Sequence, residues 1–371
     1  MVNRNLSQFF IFFLLFTFLG TVYAQEELKA EDSLKVLNLN LPTKTIQILD
    51  TITTQSVSGD FNTPVINTLS KDSIVFDLED QAIARTADSL WMKELYDSSR
   101  FEEVYGSIVN EVIEPLEYKE LPTELLKQRL EELNARTPFN VEHNPSLEKI
   151  IKHYLKNRRS SMAKLMALSD YYFPMFEQEL DKHNLPLEIK YLAVVESALD
   201  PVAKSRVGAT GLWQFMFTTG KMFGLEVSSY VDERADPVMS TEAAAKYLKS
   251  LHKSFDDWDL ALAAYNSGPG NVSKAIRRSG GETNYWKIRN RLPRETAGYV
   301  PAFLATMYIF EYAEEHGFKS SGPKFHQIAT DTIQVKRLIT FEQVAKVVNL
   351  PVEEVQFLNP SYKLGIIPYI K

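Results

Sequence analysis

The stretch of sequence that decides the fold is residues 190–217, which read KYLAVVESALDPVAKSRVGATGLWQFMF. It begins with an apolar helical run in which a single carboxylate, Glu196, directly follows Leu-Ala-Val-Val. A solvated helix face would alternate apolar side chains with charged ones, so we expect Glu196 to lie beside apolar groups. Such burial disfavours the ionised carboxylate and raises its pKa. A glutamic acid that stays protonated near neutral pH can serve as a general acid, although an exposed helical glutamate would fit the same local pattern.

Apolar residues at helical spacing flank this stretch on both sides and predict a mainly α-helical domain. The predicted helices cover residues 122–136, 145–157, 160–183, 217–224, 240–254, 257–266, 269–278 and 299–316. The apolar stripe within 160–183 is typical of a core-facing helix and not of a cofactor site. Strands and helices do not alternate between residues 100 and 320, so no parallel sheet is expected there.

After the last of these helices the chain changes character and predicts a small α+β module over residues 330–371. A short β-like stretch, Ile333–Val335, precedes two amphipathic helices over 340–348 and 351–358, and Asn-Pro ends the second. The sequence then stops at Lys371 within what reads as another strand, from which we expect the module to be truncated.

Residues 1–24 have the composition of a secretory signal peptide. Arg4 precedes an apolar run. Val22 and Ala24 then supply small residues at positions −3 and −1 of a cleavage point after Ala24. The apolar run, residues 9–20, is shorter than the roughly 20 residues of a membrane-spanning helix, so cleavage is favoured over an uncleaved membrane anchor. Residues 25–100 begin with a stretch rich in Thr, Ser and Asp and predict a poorly ordered linker with room for a short helix.

The composition excludes several classes of chemistry. The 371 residues include no cysteine, which rules out disulfides, thiolate metal sites and cysteine nucleophiles within this sequence. The formal net charge of −7 argues against a nucleic-acid partner, because binding to phosphates needs a basic surface. The six histidines show no metal-ligand spacing, so we expect neither a metal nor any other cofactor.

Four side chains in two segments have the chemistry to line a cleft. Trp213 and Gln214 follow the sequence GATGL and offer an aromatic face and an amide, which are groups that bind sugars. In the segment AAYNSGPGNV a helix runs into Tyr265 and Asn266 and is ended by Gly-Pro-Gly, so both are expected at a helix C-terminus. Taken alone, Trp213 is more readily explained by core packing.

A third segment, GYVPAFLA, places Tyr299 just before another predicted helix. Its hydroxyl can hydrogen-bond a carboxyl group or a sugar, although a satisfied core tyrosine is the usual explanation. Together the three segments resemble the soluble lytic transglycosylase family, with its goose-lysozyme-like catalytic domain, and within it the membrane-bound lytic transglycosylase D group. The similarity covers roughly residues 170–315 of this sequence.

The resemblance implies a lysozyme-like α-helical catalytic domain over residues 101–320. It implies that Glu196 is the single catalytic acid and base. The residues that it implies as substrate contacts or cleft residues are Ser205, Trp213, Gln214, Tyr265, Asn266 and Tyr299. Residues 330–371 resemble a LysM peptidoglycan-binding module, although Lys336–Thr340 stands where that module usually has Gly-Asp-Thr-Leu.

The activity that the resemblance implies is cleavage of the β-1,4 bond between N-acetylmuramic acid and N-acetylglucosamine in peptidoglycan, with closure of a 1,6-anhydro ring. It implies glycan strands as the partner, the periplasm or envelope of a bacterium as the location, and membrane contact only if the signal segment is retained. Two alternatives stay open at this point. A hydrolysing muramidase would activate water with a carboxylate such as Asp232, Glu233 or Asp236, and a non-catalytic protein would only bind the wall.

Overall fold

Helices form nearly all the regular structure in the residues that the computed structural model describes, which are 117–319, 322 and 330–369. The mainly α-helical fold class is confirmed. The predicted signal peptide, the linker and the first residues of the predicted helical domain lie outside the described residues. None of the described helices combines the length and the apolar composition that crossing a membrane requires.

The helical domain comprises short and long helices with brief connections. Its described helices are α1 (Thr123–Arg136), α2 (Pro145–Asn157), α3 (Arg159–Lys182), α4 (Lys190–Ser197), α5 (Phe217–Met222), α6 (Pro237–Phe255), α7 (Trp258–Ser267), α8 (Pro269–Arg278), α9 (Tyr285–Ile288) and α10 (Arg294–Glu311). Helices α2 and α8 have the predicted bounds, whereas the single-turn helix α9 lies outside every predicted helix. Helix α10 starts at Arg294 and not at residue 299, because Pro293 has the extended backbone of a helix N-cap.

Side-chain caps fix where α2, α6 and α7 begin. Asn144 and Asp236 accept hydrogen bonds from amides in the first turns of α2 and α6, and each is followed by proline at the first helical position. Asp257 caps α7 in the same way by accepting from the Leu260 amide. Helix α7 thereby has a fixed start, and it delivers Tyr265 and Asn266 in its last turn.

Helix α10 runs through the core of the helical domain. Its residues from Thr296 to Ile309 are all buried, and it packs against α2, α4 and α7. A helix that is buried on every side belongs in an interior, and this position brings Tyr299 to the end of α4. The predicted stripe of α3 is buried as well: Met162, Leu165, Met166, Ser169, Phe173, Phe176 and Leu180.

The C-terminal module has two helices and one pair of strands. Strand β1 (Ile339–Thr340) pairs antiparallel with β2 (Ile366–Ile367), and α11 (Phe341–Val348) and α12 (Val352–Leu358) lie between them in sequence. Phe341, Ala345, Val355 and Ile367 form its core. The prediction of a strand at Ile333–Val335 is wrong, because β2 pairs instead with the residues that lead directly into the N-cap of α11.

Candidate active site

Glu196 is the penultimate residue of α4, and the chain turns sharply just after it. Ala198 and Leu199 both have left-handed backbone, with φ of 53° and 61°. This conformation costs a non-glycine residue roughly 1–2 kcal/mol. Ser197 supports the turn, because its hydroxyl donates to the carbonyl of Leu212 at 3.0 Å. The other residues around Glu196 on α4 are buried, whereas the Glu196 side chain is only half-buried.

The carboxyl group of Glu196 has a tyrosine donor. Tyr299 of α10 donates a hydrogen bond from its hydroxyl to Glu196 Oε1. Burial raises the pKa of Glu196 to about 8, the hydrogen bond from Tyr299 opposes that rise, and the charge of Glu295 adds to it. Glu196 is therefore mainly protonated at pH 7 and available as a proton donor.

A second tyrosine, Tyr265 at the end of α7, lies close enough to Glu196 to be affected by its charge. Burial, and to a smaller extent the Glu196 charge, raise the pKa of Tyr265 well above its ordinary value, so the phenol stays a hydrogen-bond donor. Its hydroxyl donates to the carbonyl of Trp213 at 2.7 Å. The neighbouring Asn266 accepts from Thr296 Oγ1 at 2.8 Å, which joins α7 to α10.

Residues 203–215, which we call the active-site turn, fold back on themselves after α4. Thr210 and Phe215 exchange two backbone hydrogen bonds of 3.0 Å. Gly211 has a φ of 89°, and a Cβ at this position would lie 1.9 Å from the carbonyl oxygen of Arg234. Both the backbone conformation and the close approach therefore require glycine here.

Ser205 and Gln214 have partners within the active-site turn. Ser205 Oγ accepts a hydrogen bond from the Ala209 amide at 3.0 Å. Gln214 donates from Nε2 to the carbonyls of Ala203 and Gly211 at 3.2 and 2.9 Å. Both side chains are half-buried, so part of each is accessible from solvent, and their contacts with substrate remain predictions.

The structure corrects the expectation that Trp213 binds a sugar. Its side chain has 0 % of its surface exposed, its Nε1 donates to Thr241 Oγ1 at 2.8 Å, and its ring packs edge-on against Phe176. A ring with no exposed surface cannot present a face to a ligand, so core packing explains this residue. Only the Trp213 carbonyl takes part in the site, as the acceptor for Tyr265.

The carboxylates named for a hydrolytic alternative all have other partners. Asp232 forms a buried ion pair with Arg234, in which both carboxylate oxygens accept hydrogen bonds of 2.8–2.9 Å. Asp236 caps α6, and Glu233 accepts from a backbone amide across the loop at 2.6 Å. These contacts favour a structural role for all three.

Sequence reasoning missed two residues near the site. Glu295 is exposed, lies one helical turn before Tyr299, and affects the pKa of Glu196 through its charge. Its spacing from Tyr299 is a signal that could have identified it. Arg234 contacts the active-site turn from a separate loop, and no local pattern marks that contact.

Comparison with known proteins gives matches to two families. Residues 173–288 match the transglycosylase SLT domain, and residues 329–371 match the family described as lytic transglycosylase MltD, LysM-like domain. The chain is 32 % identical over 229 residues to membrane-bound lytic murein transglycosylase D of Escherichia coli (strain K12), covering 61 % of this chain and 50 % of that protein. It is 34 % identical over 127 residues to the soluble lytic murein transglycosylase of the same strain, covering 33 % of this chain and 20 % of that protein.

Among solved structures, the 70 kDa soluble lytic transglycosylase SLT70 from Escherichia coli aligns with a TM-score of 0.36 and 21 % identity, covering 66 % of this chain and 48 % of that one. The chain spans half the length of the first curated relative and a fifth of the second. Its own motifs around Glu196 and Tyr265 lie within the matched SLT segment, and its two-helix module lies within the matched LysM-like segment. Residues 173–288 are therefore similar to the transglycosylase SLT domain, and residues 329–371 are similar to the LysM-like domain of lytic transglycosylase MltD.

Proposed function

We propose that this protein is a peptidoglycan lytic transglycosylase that cleaves the β-1,4 bond between N-acetylmuramic acid and N-acetylglucosamine. The observation that carries the proposal is the half-buried Glu196, whose pKa of about 8 keeps it protonated beside the Tyr299 hydroxyl. A carboxylic acid in this state is suited to protonate a glycosidic oxygen. The similarity to lytic murein transglycosylases supports the same substrate class.

The first proposed step breaks the glycosidic bond. Glu196 transfers its proton to the bridging oxygen, and the N-acetylglucosamine side leaves as an alcohol. Positive charge develops at C1 of the muramic acid, where the 2-acetamido oxygen of the substrate can stabilise it. The carboxylate that remains on Glu196 accepts the hydrogen bond from Tyr299, which stabilises the charge formed in this step.

The second proposed step closes the ring and restores the acid. The C6 hydroxyl oxygen of the muramic acid bonds to C1, and its proton moves to the Glu196 carboxylate. The products are a 1,6-anhydromuramoyl end and an N-acetylglucosamine end, with no water consumed. One carboxylate acts twice, so a second catalytic carboxylate is not needed.

Several further assignments complete the proposal. Ser205, Gln214, Tyr265 and Asn266 line the substrate cleft, with Tyr299 as the partner of the acid. The helical catalytic domain occupies residues 101–320 and the LysM-like module 330–371, which binds glycan strands. The protein acts in the bacterial envelope after secretion directed by residues 1–24. Relatives named as membrane-bound or soluble murein transglycosylases support that location.

Digestion of purified peptidoglycan tests the proposal. Mass spectrometry of the products should show anhydromuramoyl ends with the wild-type chain and none with Glu196→Gln. Glu131→Gln, which changes an exposed glutamate of α1, is the matched control and should digest normally. Reducing ends would indicate a hydrolysing muramidase instead, and binding without products would indicate a non-catalytic wall protein. Full activity of Glu196→Gln would overturn both enzymatic assignments.

A further inference from the structure

The C-terminal module is hydrogen-bonded to a loop of the helical domain, residues 228–234, which we call the docking loop. The Asp232 amide donates to the carbonyl of Ser361 at 2.8 Å. In the reverse direction the Lys363 amide donates to the carbonyl of Tyr230 at 2.7 Å. These two bonds form a short antiparallel bridge between segments that are 130 or so residues apart in the chain.

Side chains add to this contact. Lys363 Nζ donates to the carbonyl of Ser228 at 2.7 Å and lies 4.0 Å from the carboxylate of Asp232. Phe357 of α12 packs against Tyr171 of α3, with ring centroids 5.6 Å apart. The module is thus held by two separate sets of contacts, one polar and one aromatic.

Arg234 joins the docking loop to the active-site turn. Its Nε and Nη2 donate to the two carboxylate oxygens of Asp232, at 2.9 and 2.8 Å. Its Nη1 donates to the carbonyls of Gly208 and Phe215, at 2.9 and 3.1 Å. The residue is 6 % exposed, and a lysine could not make this set of bonds because only the planar guanidinium has donors in several fixed directions.

The active-site turn also forms hydrogen bonds to groups beside Glu196. The carbonyl of Leu212 accepts from Ser197, the next residue after Glu196. The carbonyl of Trp213 accepts from Tyr265, whose pKa is affected by the Glu196 charge. A continuous set of hydrogen bonds therefore runs from the module, through the docking loop and the active-site turn, to Ser197 and Tyr265, which lie beside the proposed acid.

We infer that Arg234 is a positioning residue, through which docking of the C-terminal module holds the active-site turn in place beside Glu196. Without Arg234 the turn loses its hydrogen bonds to the docking loop and keeps its local hydrogen bonds and those to Ser197, Tyr265 and Thr241. The module then contributes to the geometry of the site in addition to any binding of glycan. The effect on catalysis rests on the proposed function, whereas the effect on the order of the active-site turn does not.

Hydrogen exchange of the full chain, read by mass spectrometry, tests the role of Arg234. Arg234→Gln should raise the exchange rates of amides in residues 203–215 about tenfold, the equivalent of one charge-assisted hydrogen bond. Arg277→Gln, an exposed arginine on α8, is the control and should leave these rates unchanged. Wild-type exchange in the turn of Arg234→Gln would overturn the inference.

A second variant tests the module separately. Lys363→Pro removes both the backbone and the side-chain donor of the bridge, and the extended backbone of Tyr362 tolerates a following proline. Exchange in residues 203–215 should rise roughly threefold, while exchange in α11 stays at the wild-type rate because the module remains folded. Lys346→Ala, on the exposed side of α11, is the control. If the turn in Lys363→Pro exchanges as in wild type, docking does not order it and the inference fails.

Turnover on peptidoglycan gives the catalytic readout. Arg234→Gln should lower kcat about tenfold with little change in KM, because a turn held less firmly affects the reacting geometry more than binding. Arg234→Lys should restore only part of the rate. If Arg234→Gln unfolds the helical domain, seen as fast exchange throughout α10, Lys363→Pro decides the question alone. Lack of activity in the wild-type chain would overturn the proposed function and leave the exchange result standing.

Discussion

Glu196→Gln should make the folded protein more stable at neutral pH while it removes the proposed activity. The pKa of Glu196 is about 8 in the folded chain, against 4.5 for an unperturbed side chain. Between these values the unfolded chain releases a proton that the folded chain keeps, so stability is full below pH 4.5 and falls as the pH rises towards 8. Glutamine has the same shape, still accepts a hydrogen bond from Tyr299, and does not ionise.

The size of the effect follows from the two pKa values. At pH 7 the Glu196 carboxyl is mostly protonated in the folded chain and ionised in the unfolded chain. The pH then exceeds the unfolded pKa by 7 − 4.5 = 2.5 units. At 1.36 kcal/mol per unit this amounts to roughly 3 kcal/mol of unfolding free energy lost by the wild type. At pH 4 both states are largely protonated, and the loss nearly vanishes.

Urea unfolding of wild type and variant at pH 4 and pH 7 measures this difference. The free energy of unfolding of Glu196→Gln relative to wild type should increase by about 3 kcal/mol between the two pH values. Glu131→Gln, the exposed control, should show no such increase. A difference that is constant, or that decreases with pH, would mean that Glu196 is ionised in the folded chain at pH 7, and the reasoning about the acid would be wrong.

Three further substitutions test other contacts. Tyr299→Phe removes the donor that lowers the pKa of Glu196, so the alkaline limb of the pH–rate profile should move to higher pH and kcat should fall at least about tenfold. Glu295→Gln removes a charge that raises the same pKa, so the alkaline limb should move to lower pH. Gly211→Ala forces a Cβ against the Arg234 carbonyl at a positive φ and should lower the free energy of unfolding by about 3 kcal/mol or more, measured in urea.

Each of these substitutions has a matched control. Tyr308→Phe removes a hydroxyl from the same helix α10 at a distance from the acid, and its alkaline limb should stay in place. Glu131→Gln is the control for Glu295→Gln, and its alkaline limb should also stay in place. Gly270→Ala adds a Cβ where nothing lies within 4 Å and should cost little stability. An alkaline limb that moves to lower pH in Tyr299→Phe, or to higher pH in Glu295→Gln, would contradict the electrostatic explanation of the Glu196 pKa. Equal free energies of unfolding for Gly211→Ala and Gly270→Ala would contradict the packing explanation of Gly211.

Local patterns were sufficient to predict most helices but not the environment of the acid. The bounds of α2 follow from an Asn-Pro start and an apolar stripe, both of which are local. The pKa of Glu196 depends on burial and on interactions with Tyr299 and Glu295 of α10, about 100 residues later in the chain. Sequence reasoning placed Tyr299 in the site only through the resemblance to a family, because a lone tyrosine before a helix has no specific signal of its own.

Trp213 and Arg234 show two opposite errors of sequence reasoning: the first residue was assigned to the site wrongly, and the second was missed. The tryptophan stands next to residues of the site and suggests sugar binding, yet its direction is set by the packing of α3, and its ring lies in the core. The arginine stands in a loop with no recognised motif, yet tertiary structure aims it at the active-site turn. Proximity in sequence shows which residues neighbour a motif, whereas only the packed structure determines which residues and atoms face the site.

The position of Glu196 at the last turn of α4 has an electrostatic consequence beyond burial. Aligned peptide dipoles leave the C-terminal end of a helix with a partial negative charge, equivalent to roughly half an electron, which disfavours an anion there. The backbone of α4 thus acts on Glu196 in the same direction as desolvation, and it does so whatever side chains surround the site. Substitutions of neighbouring charges can therefore move the working pH of the acid, while the end of this helix adds a smaller, fixed contribution that favours protonation.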